Sequence, residues 1–583
     1  MPREEPYLGT TRKLILALDV GTTYSGASFC ILSPGEIPKV LSVSRYPGQE
    51  TDDRTRDTKI PSVLYYDEHG VVQAIGAEAT SDGMKFEAEQ NGWTRVEWFK
   101  LRLRPNGMQG KGERLPEICV DISVVQIFAD YLAYLFKCAT DFISETQPFG
   151  REVLESKASI EFVLSHPNGW ESRQQDRMKR AAIIAGLVPD TDAGRGRIHL
   201  VTEGEASLHF CIVNGLTGDI MKANLIQAGN HVTIVDAGGG TIDVSSYKVI
   251  RTSPLNVVES SVPDCLLHGS VFVNTRAHDF LEAKLEGSRF GDSESIECMV
   301  EYFEMKTKPI FRDTSKTAFI KFGTPRDSDE KYGITRGALT LSRADVSQLF
   351  APSIQAIQEA IKKQHELSDN GLAMILLVGG FASSPFLRSK LQDFAKSESL
   401  NLFSPETQTS KAVAEGALWF HLDHFVSARI ARYAYGTTHN VQFDASESDH
   451  IKRKARTFLR ADGTPALSGM FSQIIPRGLL IEEEQEFWFP LVLRSHSRRD
   501  RIKASIQSYK GMKESPQWTD EDSEKGVMTS KFVGEICPHV FESMIGQLGE
   551  YFYKDYNVIM FFGLTEIKAQ LRWMENVGVQ ATI

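Results

Sequence analysis

The sequence predicts an α/β protein with a duplicated strand–turn–strand unit in its larger first part and a smaller β-rich domain at its end. Three observations predict it. An apolar run closes on an aspartate and a glycine turn twice, at LALDVGTTYSG (16–26) and at VTIVDAGGGTIDVSSYK (232–248). Strand-like and helix-like segments alternate around these two units, which is α/β patterning. Beyond about residue 425 the helical period gives way to alternation and short apolar runs. Two copies so far apart do not form a solenoid period. They indicate a duplicated domain with two similar lobes over residues 1–425, followed by a second domain over 426–583.

In order, residues 14–20 (LILALDV) form a strand, and apolar residues resume at Ala27–Leu32 after the turn. A helix is expected over 121–142, a strand over 158–164, a helix over 171–186 and another from Glu203. After the second hairpin come helical stretches near 273–306 and 343–364. The strand 373–378 (AMILLV) ends in Gly379-Gly380, and 411–420 (KAVAEGALWF) begins another helix. In the tail, 429–442, 478–493, 501–509 and 557–571 read as strands, with Ile502, Ala504 and Ile506 on one face. The polar segment 512–530 and the basic run 494–501 (RSHSRRDR) read as loops.

Composition bounds the function. The chain has 583 residues, 41% hydrophobic and 24% charged, the mixture of a soluble globular protein with more than one core. A net charge of −11 argues against general attraction to nucleic acid or anionic membrane, so neither is an expected partner. The start MPREEPYLGTTRK does not have the apolar core of a secretory signal, and no stretch approaches the roughly 18 apolar residues of a membrane span. None of the seven cysteines forms a CxxC pair, which fits reduced thiols and a cytoplasmic or nuclear location.

The chemistry lies in the turns. Asp19 ends a strand, Gly21 permits the tight turn, and Thr22, Thr23 and Tyr24 follow; such a turn can aim backbone N–H groups and hydroxyls at phosphate oxygens. Asp236 precedes Gly238, Gly239 and Gly240, then Thr241 and Asp243. Three glycines between apolar strands are costly unless the backbone must approach something closely, and a phosphate is the natural candidate. No GxxxxGK[ST] occurs, which excludes the Walker-type alternative. In ILLVGGFASSPFLRSKL (375–391) glycine backbone lies beside a helix start at Ser384-Pro385, where a nucleoside could be accommodated.

These three pieces, in this order, resemble the actin, sugar-kinase and heat-shock ATPase superfamily. DVGTTYS and DAGGGTIDVS are similar in particular to the 70-kilodalton heat-shock (DnaK-type) chaperones, over about residues 13–425. The resemblance implies a two-lobed actin-like (duplicated ribonuclease-H-like) ATPase domain with ATP or ADP and Mg²⁺ in its cleft. It implies that Asp19 and Asp236 hold Mg²⁺ through water. Gly21, Thr22, Thr23, Tyr24, Gly238, Gly239, Gly240 and Thr241 would bind phosphate, and Gly379, Gly380 and Phe381 would border the nucleoside. Lys100, in RVEWFKLRL, resembles the catalytic lysine. Glu203, in LVTEGEASLHF, resembles the carboxylate at the inter-lobe connection, and with Asp236 these complete the expected catalytic set. KAVAEGAL (411–418) resembles the second connection. Glu304 and Lys308 are weighed against the family's nucleoside-contacting helix and a plain exposed helix.

The chain departs from the family pattern in three places. Phe381 and Ser383 stand where the family has a small polar residue and an arginine; Phe381 would either stack on the base or pack in the core. LLHGSVFVN (266–274) lacks the family's acidic residues, and HLDHFVSARIARYAYG does not match its interdomain linker. IIPRGLLI (474–481), IKASIQSYKG (502–511), VGEI (533–536) and NVIMFFGLTEIKA (557–569) resemble the family's peptide-binding β-sandwich, with too few residues after Trp573 for its helical lid. The implied function is a slowly ATP-hydrolysing chaperone or chaperone-like regulator that takes unfolded or extended polypeptide. Its co-chaperones are open. A sugar-type kinase and a nucleotide-gated scaffold without hydrolysis are the alternatives.

Overall fold

The computed structural model describes residues 5–49, 58–105, 108, 115–118, 121–214, 227–314, 316–368, 372–405, 409–498, 502–511, 513–521, 528–536, 541–563, 566–574 and 580–582. The chain is a mixed α/β protein that divides into two compact units, Met1–Phe425 and Val426–Ile583.

The first unit contains two sheets of the same strand plan. In one, β1 (Lys13–Asp19), β2 (Tyr24–Leu32), β3 (Val40–Ser42), β4 (Ile160–His166) and β5 (Ile198–Thr202) lie in the order β3-β2-β1-β4-β5. The first three form an antiparallel meander, and β4 and β5 join in parallel. In the other, β6 (His231–Ala237), β7 (Ile242–Thr252), β8 (Leu255–Glu259), β9 (Leu372–Val378) and β10 (Leu402–Phe403) repeat that order and those directions, as β8-β7-β6-β9-β10. The parallel joins require crossovers, and the chain supplies helices for them.

Each sheet has its own apolar core. α1 (Val124–Thr146), started by the Ser123 hydroxyl accepting from the Gln126 amide, turns Ile127, Phe128, Tyr131, Leu132 and Leu135 onto the first sheet. α2 (Ser172–Ile184) adds Met178, Ala181 and Ala182 to the same core. On the second sheet, α4 (Ser270–Lys284), α5 (Arg343–Leu367) and α6 (Pro385–Ser397) bury Val273, Leu281, Phe350, Ile357, Phe386 and Leu391. α5 starts in a reciprocal cap between Ser342 and Asp345, and α6 starts on Ser384 with proline in its first turn. α3 (Glu203–Asn214) is buried from Glu203 to Val213, and α7 (Ala412–Asp423), also largely buried, packs along it.

The helical stretch expected near 273–306 is two helices, α4 and Ser293–Tyr302. Two further three-stranded sheets carry no counterpart in the sequence reading: Val63–Tyr66 between Val72–Ile75 and Thr94–Glu97, and Ala338–Ser342 between Thr317–Lys321 and Ile334–Thr335. Cys30, Cys138 and Cys211 are buried, and Cys298 is exposed.

In the second unit, Pro465–Ile475, Ala434–Gln442, Ile502–Tyr509 and Met528–Ile536 pair in one sheet, while Glu486–Ser495, Gly549–Gly563 and Glu566–Met574 pair in another. Ile475 and Ile506 from the one meet Val558, Met560, Leu571 and Trp573 from the other in a shared core. The expected common face of Ile502, Ala504 and Ile506 lies partly outside the described side chains. Of the basic run, Arg494 belongs to a strand and pairs with Asp462 rather than lying in a loop, and residues 499–501 lie outside the described residues. The expected loop 512–530 includes the first residues of the strand Met528–Ile536. Among the described residues no helix is long and apolar enough to cross a membrane.

Candidate functional site

The two glycine turns meet. β1 and β2 pair Asp19 with Gly26, and β6 and β7 pair Asp236 with Asp243, so each hairpin carries its carboxylate at the mouth of its turn. The turns lie so close that a Cβ on Gly239 would be 2.2 Å from Thr23 Oγ1, and one on Gly240 would be 2.4 Å from Thr22 Oγ1. Any side chain there would displace the opposite threonine. The shape of the triple-glycine turn is fixed by pairing: the Gly269, Ser270 and Val271 amides at the start of α4 donate to the carbonyls of Gly240, Gly238 and Gly239 at 3.2, 3.2 and 2.9 Å. The first turn is braced by Ser25, which accepts from the Gly21 amide at 3.1 Å, and by Ser62, which donates to the Gly21 carbonyl at 2.9 Å.

Around these turns four carboxylates and two lysines are buried. Lys100, on the short turn Phe99–Leu103, is 3% exposed and reaches Glu203 Oε1 at 2.5 Å. Burial works against its charge, but the Glu203 and Asp19 carboxylates outweigh it and hold Lys100 above the ordinary lysine range. Burial pushes Glu203 up, and the Asp19 charge adds to it against the pull of Lys100. Asp19 accepts from Ser165 Oγ at 2.8 Å and forms a buried ion pair with Lys59. Although burial opposes it, the Lys59 and Lys100 charges hold Asp19 below the usual carboxylate range.

Among the described residues the second hairpin's acids form no ion pair with a lysine, although the Lys59 charge lowers Asp236 slightly. Asp236 accepts from Ser207 Oγ at 2.6 Å; burial and the Glu203 charge push it up to about 7. Asp243 accepts from the Asn168 amide at 2.6 Å, and burial with the same charge pushes it up to about 8. Among the described residues its Oδ2 is buried with no hydrogen-bond partner. Asn168 Oδ1 also accepts from the Gly204 amide at 3.2 Å, which ties the end of β4 to the start of α3.

The third piece reaches the same place. Gly379 has φ +93°, and a Cβ there would lie 2.4 Å from both Asp236 Oδ1 and the Ala237 carbonyl, so only glycine closes β9 against β6. Gly380 follows, and Ser383 is exposed, its hydroxyl donating to the Gly380 carbonyl at 2.7 Å. Phe381 requires a correction. Its side chain is 4% exposed and stacks on Phe350 of α5, with ring centroids 6.1 Å apart, inside the second core. The ring packs as core and is not placed to stack on a base. The exposed-helix reading of Lys308 also gives way: it is buried, and its Nζ lies 2.7 Å from Asn274 Oδ1 on α4 and 3.8 Å from Glu304.

The structure thus brings together Asp19, Gly21, Thr22, Thr23, Lys100, Glu203, Asp236, Gly238, Gly239, Gly240, Thr241, Gly379 and Gly380, which the sequence spreads over more than half its length. Tyr24 begins β2 with 40% exposure. Lys59, Ser165, Asn168 and Ser207 belong to the site and are absent from the sequence-derived set. No local motif marks them, because each acts through a partner far along the chain.

Comparison with known proteins agrees with this arrangement. The family described as Hsp70 protein matches residues 161–419, which include Glu203, Asp236, the triple glycine and Gly379-Gly380. Heat shock 70 kDa protein 12A of Mus musculus is 22% identical over 538 residues, 79% of this chain and 76% of that protein. Heat shock 70 kDa protein 12B of Homo sapiens is 20% identical over 500 residues, covering 70% and 68%. Chaperone protein DnaK of Thermoplasma volcanium is 24% identical over 251 residues, covering 40% and 35%. These matches are all distant, and with the paired glycine turns and their carboxylates they make the chain similar to the Hsp70 family, consistent with a divergent branch of it.

Proposed function

We propose that this chain is an ATP-binding, slowly ATP-hydrolysing chaperone or chaperone-like regulator. The observation that carries the proposal is the apposition of the two glycine turns over buried Asp19 and Asp236, with the Lys100–Glu203 pair beside them. The repeated strand order supports a two-lobed reading of residues 1–425, and the shared core of the tail sheets supports a separate β-rich domain at 426–583.

The residues fit Mg²⁺ with a nucleotide. Asp236 and Asp243 are held toward neutrality, so a divalent cation beside them would favour their ionised forms, and among the described residues Asp243 Oδ2 is a buried acceptor with no hydrogen-bond partner. Asp19 and Asp236 would hold the ion through water. When bound, Mg²⁺ neutralises charge on the phosphates. The chain's own groups do the rest. Thr22, Thr23 and Thr241 with the turn amides position phosphate oxygens, while Gly239 and Gly240 keep the turns free of side chains. Lys100 stabilises negative charge on the transferred group, and Glu203, kept beside it, orients the attacking water.

The second unit's role in this reading is to take extended polypeptide by backbone pairing and shallow apolar contacts. A nucleotide-gated scaffold is the second reading, because Lys59 pairs with Asp19 and competes for the carboxylate that the ion's water shell would use. ATP binding and single-turnover hydrolysis of the purified chain, with and without an unfolded polypeptide, separate the two. Binding with turnover supports the first reading, binding without turnover the second, and absence of nucleotide binding refutes both.

A further inference from the structure

Outside the nucleotide cleft, three side chains from three elements of the first unit converge on one point: Glu161 of β4, His199 of β5 and His421 of α7. We propose that they form a binding site for a transition-metal ion of the Zn²⁺ class.

Both imidazoles aim Nε2 at the same carboxylate oxygen: His199 lies 3.0 Å and His421 3.3 Å from Glu161 Oε2. The two rings are 4.5 Å apart, centroid to centroid. All three ligand atoms lie within 4.8 Å of one another. A tetrahedral ion with bonds of about 2.0–2.1 Å holds its ligand atoms about 3.3 Å apart, so the contacts to Oε2 already have the spacing of a coordination shell. The side chains are 16–24% exposed, which shelters the point while leaving solvent access for the ion.

The arrangement is poorly explained as an ion pair alone. One carboxylate balances one imidazolium, and a second charged ring 4.5 Å away would repel the first. With both rings neutral and donating through Nε2, each Nδ1 becomes an acceptor, and that of His421 is buried without a hydrogen-bond partner among the described residues. Lys13 Nζ sits 3.3 Å from Oε1, the other oxygen, and leaves Oε2 free to ligate. Two imidazoles and a carboxylate suit Zn²⁺ and its neighbours rather than Mg²⁺ or Ca²⁺, which take oxygen shells.

The ligands fix the consequence. β5 is the end strand of the first sheet's path, and α7 packs along α3, so the ion would tie α7 to that sheet. Glu161 lies four residues before Ser165, about 13 Å along β4, so this centre is separate from the Asp19 cluster.

The test is metal binding by the full chain. After chelator treatment, the protein should take up an equivalent of Zn²⁺ that the His199→Gln/His421→Gln variant does not. It should also melt at higher temperature with Zn²⁺ but not with Mg²⁺ or Ca²⁺. Co²⁺ in place of Zn²⁺ should give the visible bands of a four-coordinate ion, lost in the variant. Glu161→Gln should weaken binding by at least the ~10–100-fold that loss of an outer-shell partner costs. His278→Ala, in the separate His278–Asp279–Glu282 group, should change none of these. Each variant is checked for folding by its metal-free melting temperature; if the double variant is not folded, Glu161→Gln reads the same loss. Equal Zn²⁺ uptake by wild type and a folded variant, or no uptake by wild type, overturns the proposal.

Discussion

Removing the Lys100 ammonium should cost stability before it costs catalysis. Lys100 is 3% exposed and its 2.5 Å contact with Glu203 lies inside the unit, so Lys100→Met leaves a buried carboxylate with no cation of its own. Breaking one side of such a pair typically costs about 3–5 kcal/mol, most of it the penalty of the stranded charge. For a unit that ends at Phe425 the unfolding entropy is roughly 0.9 kcal/mol per degree, so the nucleotide-free melting temperature should fall by about 3–6 °C. Replacing both partners, Lys100→Met with Glu203→Gln, removes the stranded charge as well and should recover most of that loss. Calorimetry of the four proteins in the cycle reads the coupling directly. Single-turnover hydrolysis of pre-bound ATP should fall by ~10²-fold in Lys100→Met, and the double variant should not recover it. A single variant that melts and turns over like wild type would refute both the buried pair and the role given to Lys100.

Asp19→Asn and Asp236→Asn should each reduce the thermal stabilisation given by Mg-ATP more than that given by ATP with chelator; equal stabilisation of both variants and wild type would remove these residues from the ion's shell. Asp236 and Asp243 have folded-state values raised to about 7 and about 8, so the stability tied to their protons is fully present below about pH 4 and is lost as pH rises through 7 and 8. The nucleotide-free chain should therefore melt progressively lower from pH 5 to 8, and Asp243→Asn should flatten that fall; parallel pH profiles would contradict it. Phe381→Ala empties part of the second core and should lower stability by about 3–5 kcal/mol in the absence of nucleotide. Preference between ATP and GTP, compared by competition binding, should not change.

What the sequence discloses is what it encodes locally. A glycine run between apolar strands is contiguous, so both turns and their aspartates are legible at Asp19–Thr23 and Asp236–Thr241. Long amphipathic helices such as α1 and α5 are legible for the same reason. Lys59 is not, because nothing in TKIPS marks a lysine whose partner lies 40 residues earlier. Strands of three or four residues, such as Val63–Tyr66 and Thr94–Glu97, are too short to show a period. Phe381 follows two glycines at a strand end, where the sequence does not say which way a ring turns. The aromatic cluster of Phe311, Phe350 and Phe386 decides it.

The repeated strand plan explains why residues so far apart meet. In each copy the meander puts a turn and its aspartate at the end of the sheet's middle strand, and the parallel strand beside it supplies a supporting group. Beside β1, β4 contributes Ser165 to Asp19; beside β6, β9 ends in Gly379, pressed against Asp236. The copies then diverge in how they handle charge. The first hairpin's aspartate has a lysine, Lys59, while the second hairpin's two acids have only hydroxyl and amide donors and stay raised toward neutrality. A cation arriving between the turns would therefore meet one carboxylate already paired and two held back by burial and the Glu203 charge. Binding at such a site must either release Lys59 from Asp19 or draw mainly on Asp236 and Asp243. Because only the second route leaves the first hairpin's ion pair intact, the weight of cation binding should fall on the triple-glycine hairpin.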